Sequence, residues 1–293
     1  MREDKITATL SHPSIPAVFE YGMDSAQVAF MIMQIIKGQT LKQVIEQSQF
    51  DFRNSIDDTE HNTLEILIRV AETVDYAHSQ NYIHRDLKPE NIMLGEHGET
   101  LVMDWGLAKK IDAKEDPLLL SQAIKCDAKS KSSEFNLTSE GVVLGTPGYM
   151  SPEQANGTEV DELTDVFALG AILCESLTGK KPVVGNSSLK MISETLKGNI
   201  LSPQDFNTEV PDPLNDLARE ATQFERSARI QSAREFANRL RLILNKSSTD
   251  IEGGPKRPRS KSIYFAIPII IISLIATTVL WKLNNDLNSE KLT

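Results

Sequence analysis

His84-Arg85-Asp86-Leu87-Lys88-Pro89-Glu90-Asn91 packs two acids, two cationic bases, a histidine, an amide and a proline into eight residues. An amphipathic run precedes it and an apolar one follows. Proline lacks an N–H and clashes with the preceding turn, so the stretch cannot continue a helix. It reads as a rigid loop that presents polar groups to one spot.

Each residue type suits phosphoryl transfer. Asp86 can accept the proton of an attacking hydroxyl, and Lys88 can neutralise charge on the transferred group. Asn91 offers an amide oxygen to a hard cation such as Mg²⁺. Asp104-Trp105-Gly106 begins thirteen residues later, after the apolar pair Val102-Met103. Asp104 supplies a second oxygen ligand, and two suffice because Mg²⁺ takes the rest of its shell from phosphates and water. A solvated charged turn would account for any one of these residues, but not for the ordered octet followed by an Asp-x-Gly at this distance.

The octet resembles the H-R-D-L-K-P-E-N catalytic loop of the eukaryotic-like (Hanks-type) protein kinases, and Asp104-Trp105-Gly106 resembles D-F-G with Trp in place of Phe. Residues 145–153, Gly-Thr-Pro-Gly-Tyr-Met-Ser-Pro-Glu, are similar to the end of an activation segment, with Ser-Pro-Glu for A-P-E. Lys88 and the Gly-Thr-Pro run suggest the Ser/Thr branch. The resemblance covers residues 1–244. It implies an α+β, protein-kinase-like fold with a mostly helical C-lobe and a partial N-lobe, made of the end of helix αC and two strands. It implies ATP and Mg²⁺ as cofactors and protein substrates as partners, and it admits a homodimer for autophosphorylation. Asp86 would be the base, Lys88 would stabilise the phosphoryl group and Thr146 would buttress the loop.

Outward from the loop, the same resemblance assigns further roles. Glu3, ahead of the His12-Pro13 turn, stands where αC carries its Glu; a free terminal Glu competes with that reading. Residues 15–21 and 27–36 read as two strands, the second nearly all apolar as a buried strand would be. Met33 stands at the gatekeeper position. Gln34 and Ile36 are hinge candidates whose backbone would meet adenine, and Met93 joins that nucleotide-binding set. Thr40 caps a helix from Leu41. Leu64, Leu67, Ile68, Ala71, Val74 and Ala77 recur at helical spacing, and His78 on that helix reads as a packing residue. Asp165, in the run Thr164-Asp165-Val166-Phe167-Ala168-Leu169-Gly170, resembles the helical Asp that braces the catalytic loop. Arg229 stands where the family pairs an Arg with the Glu of A-P-E, here Glu153. Residues 107–144 read as an activation segment with a Lys/Ser-rich insertion. Thr138 and Ser139 are its phosphorylation candidates, with Arg85 as the partner for a phosphate there.

Residues 245–262 form a Ser/Gly/Pro-bearing linker that ends in Lys256, Arg257, Arg259 and Lys261. Residues 263–281 then run for 19 positions without a charge. At about 1.5 Å per residue that approaches the roughly 30 Å of a bilayer's hydrocarbon core. The expected organisation is therefore residues 1–36 as partial N-lobe, 37–244 as C-lobe, 245–262 as linker, 263–281 as one transmembrane helix and 282–293 as a short tail. The basic flank puts the kinase part in the cytoplasm. A net charge of −10 argues against nucleic acid as a partner. Cys126 and Cys174 are the only cysteines, too few for a disulfide framework.

No G-x-G-x-x-G occurs in the chain, and only Met1 and Arg2 precede Glu3. Two readings stay open: a fragment of a working kinase, or a truncated relative that binds partners without transferring phosphate. On the first, the chain as given is expected to transfer phosphate very poorly, with upstream coding sequence restoring activity, because phosphoryl transfer depends on positioning the phosphates.

Overall fold

The computed structural model describes residues 9–23, 28–47, 63–111 and 144–252. The chain divides into two units, Met1–Ser247 and Ser248–Thr293, and the elements that build the site belong to the first. Glu3, Thr138, Ser139 and residues 263–281 lie outside the described residues. Among the described residues, no helix is long and apolar enough to cross a membrane.

β1 (Val18–Met23) and β2 (Ala29–Met33) pair antiparallel, with an irregular register between Val18 and Glu20. The expectation that β2 is a buried core strand is corrected here. Val28 is 60% exposed, Ile32 48%, and Phe30 is only half-buried. Among the described residues the two strands form a two-stranded sheet of their own.

β3 (Gly38–Thr40) runs directly into α1 (Leu41–Gln47). Thr40 Oγ1 accepts from the Gln43 N–H at 3.2 Å, and Gln43 Oε1 accepts from the Thr40 N–H at 2.8 Å. This reciprocal capping satisfies two backbone donors at the helix start. α2 (Thr63–Ser79) buries Leu64, Leu67, Val70, Ala71, Val74 and Ala77, the stripe expected from a 3.6-residue period. β4 (Tyr82–Ile83) leads into the acidic-basic octet, which closes in a single 3₁₀ turn, Pro89–Asn91. β5 (Ile92–Gly95) and β6 (Thr100–Val102) form a hairpin that completes the antiparallel sheet β3-β5-β6. β7 (Lys109–Lys110) returns to pair with β4. Strand pairing thus anchors the octet at both ends, and the Asp104 segment lies between two of those strands.

α3 (Pro152–Ala155) precedes α4 (Glu162–Thr178), which is buried at every position from Thr164 onward. A helix that is hydrophobic on all sides belongs inside a core. Asp161 caps its start by accepting the Leu163 N–H at 2.9 Å, and Gly179 ends it at φ 69°. α5 (Ser188–Leu196), α6 (Pro203–Phe206), α7 (Asp212–Ala221) and α8 (Ala233–Glu252) complete the helical part. Gly170 lets α4 and α7 approach closely, since a Cβ there would fall 2.6 Å from that of Ala221. Side chains from α1, α2, α4, α7 and α8 join Leu87 and Trp105 in one apolar core.

Candidate active site

α4 supplies the support for the octet. Asp165 is fully enclosed, and its Oδ2 accepts the His84 N–H at 2.8 Å while its Oδ1 accepts the Arg85 N–H at 2.9 Å. His78 on α2 reaches the same Oδ2 at 2.8 Å. His78 is therefore not the plain packing residue expected from its apolar stripe; it is a polar partner of the loop's brace. Burial alone would raise the Asp165 pKa, but the His78 hydrogen bond and the nearby imidazoles hold it below the usual carboxylate range. Arg85 takes a left-handed backbone, φ 69°. Its Nε donates to the Leu107 carbonyl at 2.6 Å, at the start of the activation segment.

The left-handed turn at Arg85 brings Asp86 into a tight polar group. Lys88 Nζ donates to Asp86 Oδ2 at 2.6 Å, Thr146 Oγ1 donates to Asp86 Oδ1 at 2.6 Å, and Lys88 Nζ also donates to Thr146 Oγ1 at 2.9 Å. Asp86 is 7% exposed. Three residues read from sequence as one catalytic set, two from the octet and one from 58 positions beyond Lys88, meet within hydrogen-bond distance.

Asn91 and Asp104 share one end of the β5–β6 hairpin. Ile92 pairs with Val102, and the Met103 N–H donates to the Asn91 carbonyl at 2.8 Å. Asn91 Nδ2 donates to the Asp86 carbonyl at 2.9 Å, so its Oδ1 is the atom left for a cation. Asp104 is exposed and left-handed, φ 59°. Both donors are hard oxygens, as Mg²⁺ requires. Among the described residues no group of three His, Cys, Asp or Glu side chains forms a closed metal site, so an ion here would complete its shell with phosphate and water. Trp105, in the Phe position of D-F-G, is 1% exposed, donates Nε1–H to the Val102 carbonyl at 3.0 Å and packs on His84 with ring centroids 4.6 Å apart.

Of the residues expected to receive the nucleotide, Met33 ends β2, and the Gln34 N–H donates to the Ala17 carbonyl at 3.0 Å. Ile36 lies just ahead of β3, and Met93 on β5 sits opposite Thr40.

Beyond the octet, Glu153 and Arg229 meet in a buried bidentate pair, at 2.8 and 3.2 Å. Arg229 also donates to the Leu163 carbonyl at 2.7 Å. Burial opposes the Glu153 charge, yet the guanidinium holds its pKa below the ordinary value. Sequence reasoning missed Gln154. Its Nε2 donates to the Arg85 carbonyl at 2.7 Å and to the Leu144 carbonyl at 3.1 Å, tying the catalytic loop to the end of the activation segment. The signal was present as Ser151-x-x-Gln154, a capping-box pattern. Lys42, Tyr149 and Glu175, which also meet, carry no local signal of the kind.

A family profile described as protein kinase domain matches residues 1–240. The serine/threonine-protein kinase PknD of Chlamydia felis is 35% identical over 254 residues, covering 84% of this chain and 26% of that protein. PknD of Protochlamydia amoebophila is 38% identical over 187 residues, covering 62% of this chain and 18% of its own length. PknD of Chlamydia trachomatis is 34% identical over 258 residues, covering 83% and 26%. The chain thus spans about a quarter or less of the length of these relatives.

Proposed function

This chain belongs to the protein kinase domain family, and from that premise we propose that it transfers the γ-phosphate of ATP to Ser or Thr hydroxyls of protein substrates, anchored to a membrane by residues 263–281. The observation that carries the reading is the Asp86 carboxylate held between Lys88 Nζ and Thr146 Oγ1, each at 2.6 Å. A carboxylate has about four lone-pair sites, so Asp86 accepts a substrate hydroxyl proton while keeping both partners. Lys88 lies beside the oxygen that receives the proton and balances charge on the transferred group. Thr146 fixes the carboxylate plane. Asn91 and Asp104 would hold Mg²⁺, which neutralises phosphate charge when bound. Met33, Gln34, Ile36 and Met93 would receive the adenine.

The named relatives support the Ser/Thr assignment. The alternative, a membrane-tethered binding module without phosphotransfer, leaves the convergence on Asp86 without work. The test is a pair of measurements on the full-length chain in mild detergent. Mg²⁺ with ATP is expected to raise the melting temperature, and Asp104→Ala is expected to remove most of that rise. Phosphoamino-acid analysis of a labelled acceptor protein is expected to give phosphoserine or phosphothreonine. No Mg²⁺-dependent shift, or label on Tyr alone, overturns the proposal.

A further inference from the structure

Glu175 on α4 is 1% exposed, a second buried acid on the helix that carries Asp165. Its two oxygens serve two distant segments. Oε1 accepts from Lys42 Nζ at 2.7 Å, in the first turn of α1, 133 positions away. Oε2 accepts from the Tyr149 hydroxyl at 2.5 Å. Tyr149 is itself buried, and its backbone N–H donates to the Thr146 carbonyl at 3.1 Å. Thr146 Oγ1 then reaches Asp86. An unbroken series of contacts therefore runs from α1, just past the nucleotide-facing stretch, to the turn beside the base.

A buried ion pair is weak evidence for stability, because an apolar replacement of similar volume is often as good or better. What the pair adds here is geometry. With Lys42 present, the Glu175 carboxylate has a fixed orientation and offers Oε2 to the Tyr149 hydroxyl. Without it, the carboxylate keeps the Tyr149 hydroxyl but loses the cation that fixes its orientation. Lys42 is 26% exposed at its side chain, so it can be exchanged with less packing loss than either of its partners. Burial opposes its charge, but the Glu175 hydrogen bond raises its pKa overall. Lys181 Nζ lies over the Tyr149 ring, 4.5 Å from its centroid.

We propose that Lys42 is a positioning residue, acting through Glu175 and Tyr149 to hold the turn at residues 146–149 in the form that presents Thr146 to Asp86 and receives the acceptor protein. The inference builds on the kinase reading for its kinetic part and on geometry alone for its structural part.

The experiment compares wild type, Lys42→Met and Lys42→Arg as full-length chains in detergent, by amide hydrogen exchange and by acceptor-protein and ATP kinetics. In Lys42→Met, amides of residues 145–150 are expected to exchange at least about tenfold faster, with α2 unchanged, since local openings are independent of the global one. The kcat/KM for the acceptor is expected to fall about 10–100-fold while the ATP KM stays within about twofold, and Lys42→Arg is expected to restore most of both. Unchanged exchange at residues 145–150 overturns the proposal whatever the activity. So does faster exchange spread equally over α2, a failure of Lys42→Arg to restore, or an active wild type whose Lys42→Met variant keeps its kcat/KM. If exchange responds as expected but wild type transfers no phosphate, the kinase reading fails and the positioning of the turn stands.

Discussion

Arg229→Met removes the cation from the most enclosed ion pair described here. Its side chain is 0% exposed and that of Glu153 is 6%. The substitution keeps an unbranched stem but lacks the buried guanidinium, so a packing loss adds to the electrostatic one. Breaking one side of a buried pair costs about 3–5 kcal/mol, because the remaining charge is left without compensation. The Leu163 carbonyl loses its 2.7 Å donor as well, and an unsatisfied buried acceptor adds about 1–3 kcal/mol. A loss of about 4 kcal/mol or more is therefore expected, a large share of a typical 5–15 kcal/mol. At about 2–4 °C per kcal/mol for a unit of this size, the melting temperature falls by roughly 8–16 °C. The pH dependence has a fixed sign. The Glu153 pKa is lowered in the fold, so in wild type the pair's contribution is complete above the unfolded value of about 4.3 and is lost as pH falls through the folded value. In the variant, burial without the guanidinium favours the protonated acid, so the penalty is largest near neutral pH and shrinks as pH falls. The assay is denaturation of the full-length chain in mild detergent in a Trp281→Phe background, so that Trp105 alone reports. Adding Glu153→Gln to Arg229→Met is expected to recover about 1–2 kcal/mol, the signature of coupling. A loss under about 1 kcal/mol at pH 7.5, or no recovery in the double variant, refutes the reasoning.

Gly145→Ala is expected to lower both stability and kcat, by about 1–3 kcal/mol in stability. The backbone there sits at φ 122°, and a Cβ would lie 3.0 Å from both the Arg85 carbonyl and Gln154 Nε2; a thermal melt with steady-state kinetics checks it. Full-length protein is expected to sediment with membranes, and deletion of residues 263–293 to release it; full-length protein that is soluble without detergent counts against the anchor. Phosphate on Thr138 or Ser139 is expected in protein purified from cells that make it active, and mass spectrometry that finds none across residues 107–144 removes that regulatory reading.

The octet could be read because its information is local: eight consecutive residues fix a loop, and α2 and α4 announce themselves by periodicity and by Gly179. The Glu153–Arg229 and Asp165–octet contacts span 76 and about 80 positions, and only the family resemblance made them visible. Lys42–Glu175 and Gln154–Arg85 had no such guide, since charge and amide side chains carry no mark of the partner they will meet across a fold. His78 was misread for a related reason: it occupies the inward stripe of α2, where an apolar neighbourhood suggests packing, but the partner that makes it polar lies on α4. β2 was misread in the opposite direction. An apolar run signals burial only if something covers it, and Val28 and Ile32 are exposed.

The central claim is that Asp86 is the base of a phosphoryl transfer to Ser or Thr. Its most direct test is the initial rate of labelled γ-phosphate incorporation into an acceptor protein by the full-length chain with Mg²⁺, beside Asp86→Asn, which keeps the shape but cannot take the proton. General-base removal costs about 10²–10⁴-fold, so the account predicts Mg²⁺-dependent label on Ser or Thr that falls at least a hundredfold in Asp86→Asn. Equal incorporation by the two proteins, or none by wild type, contradicts it.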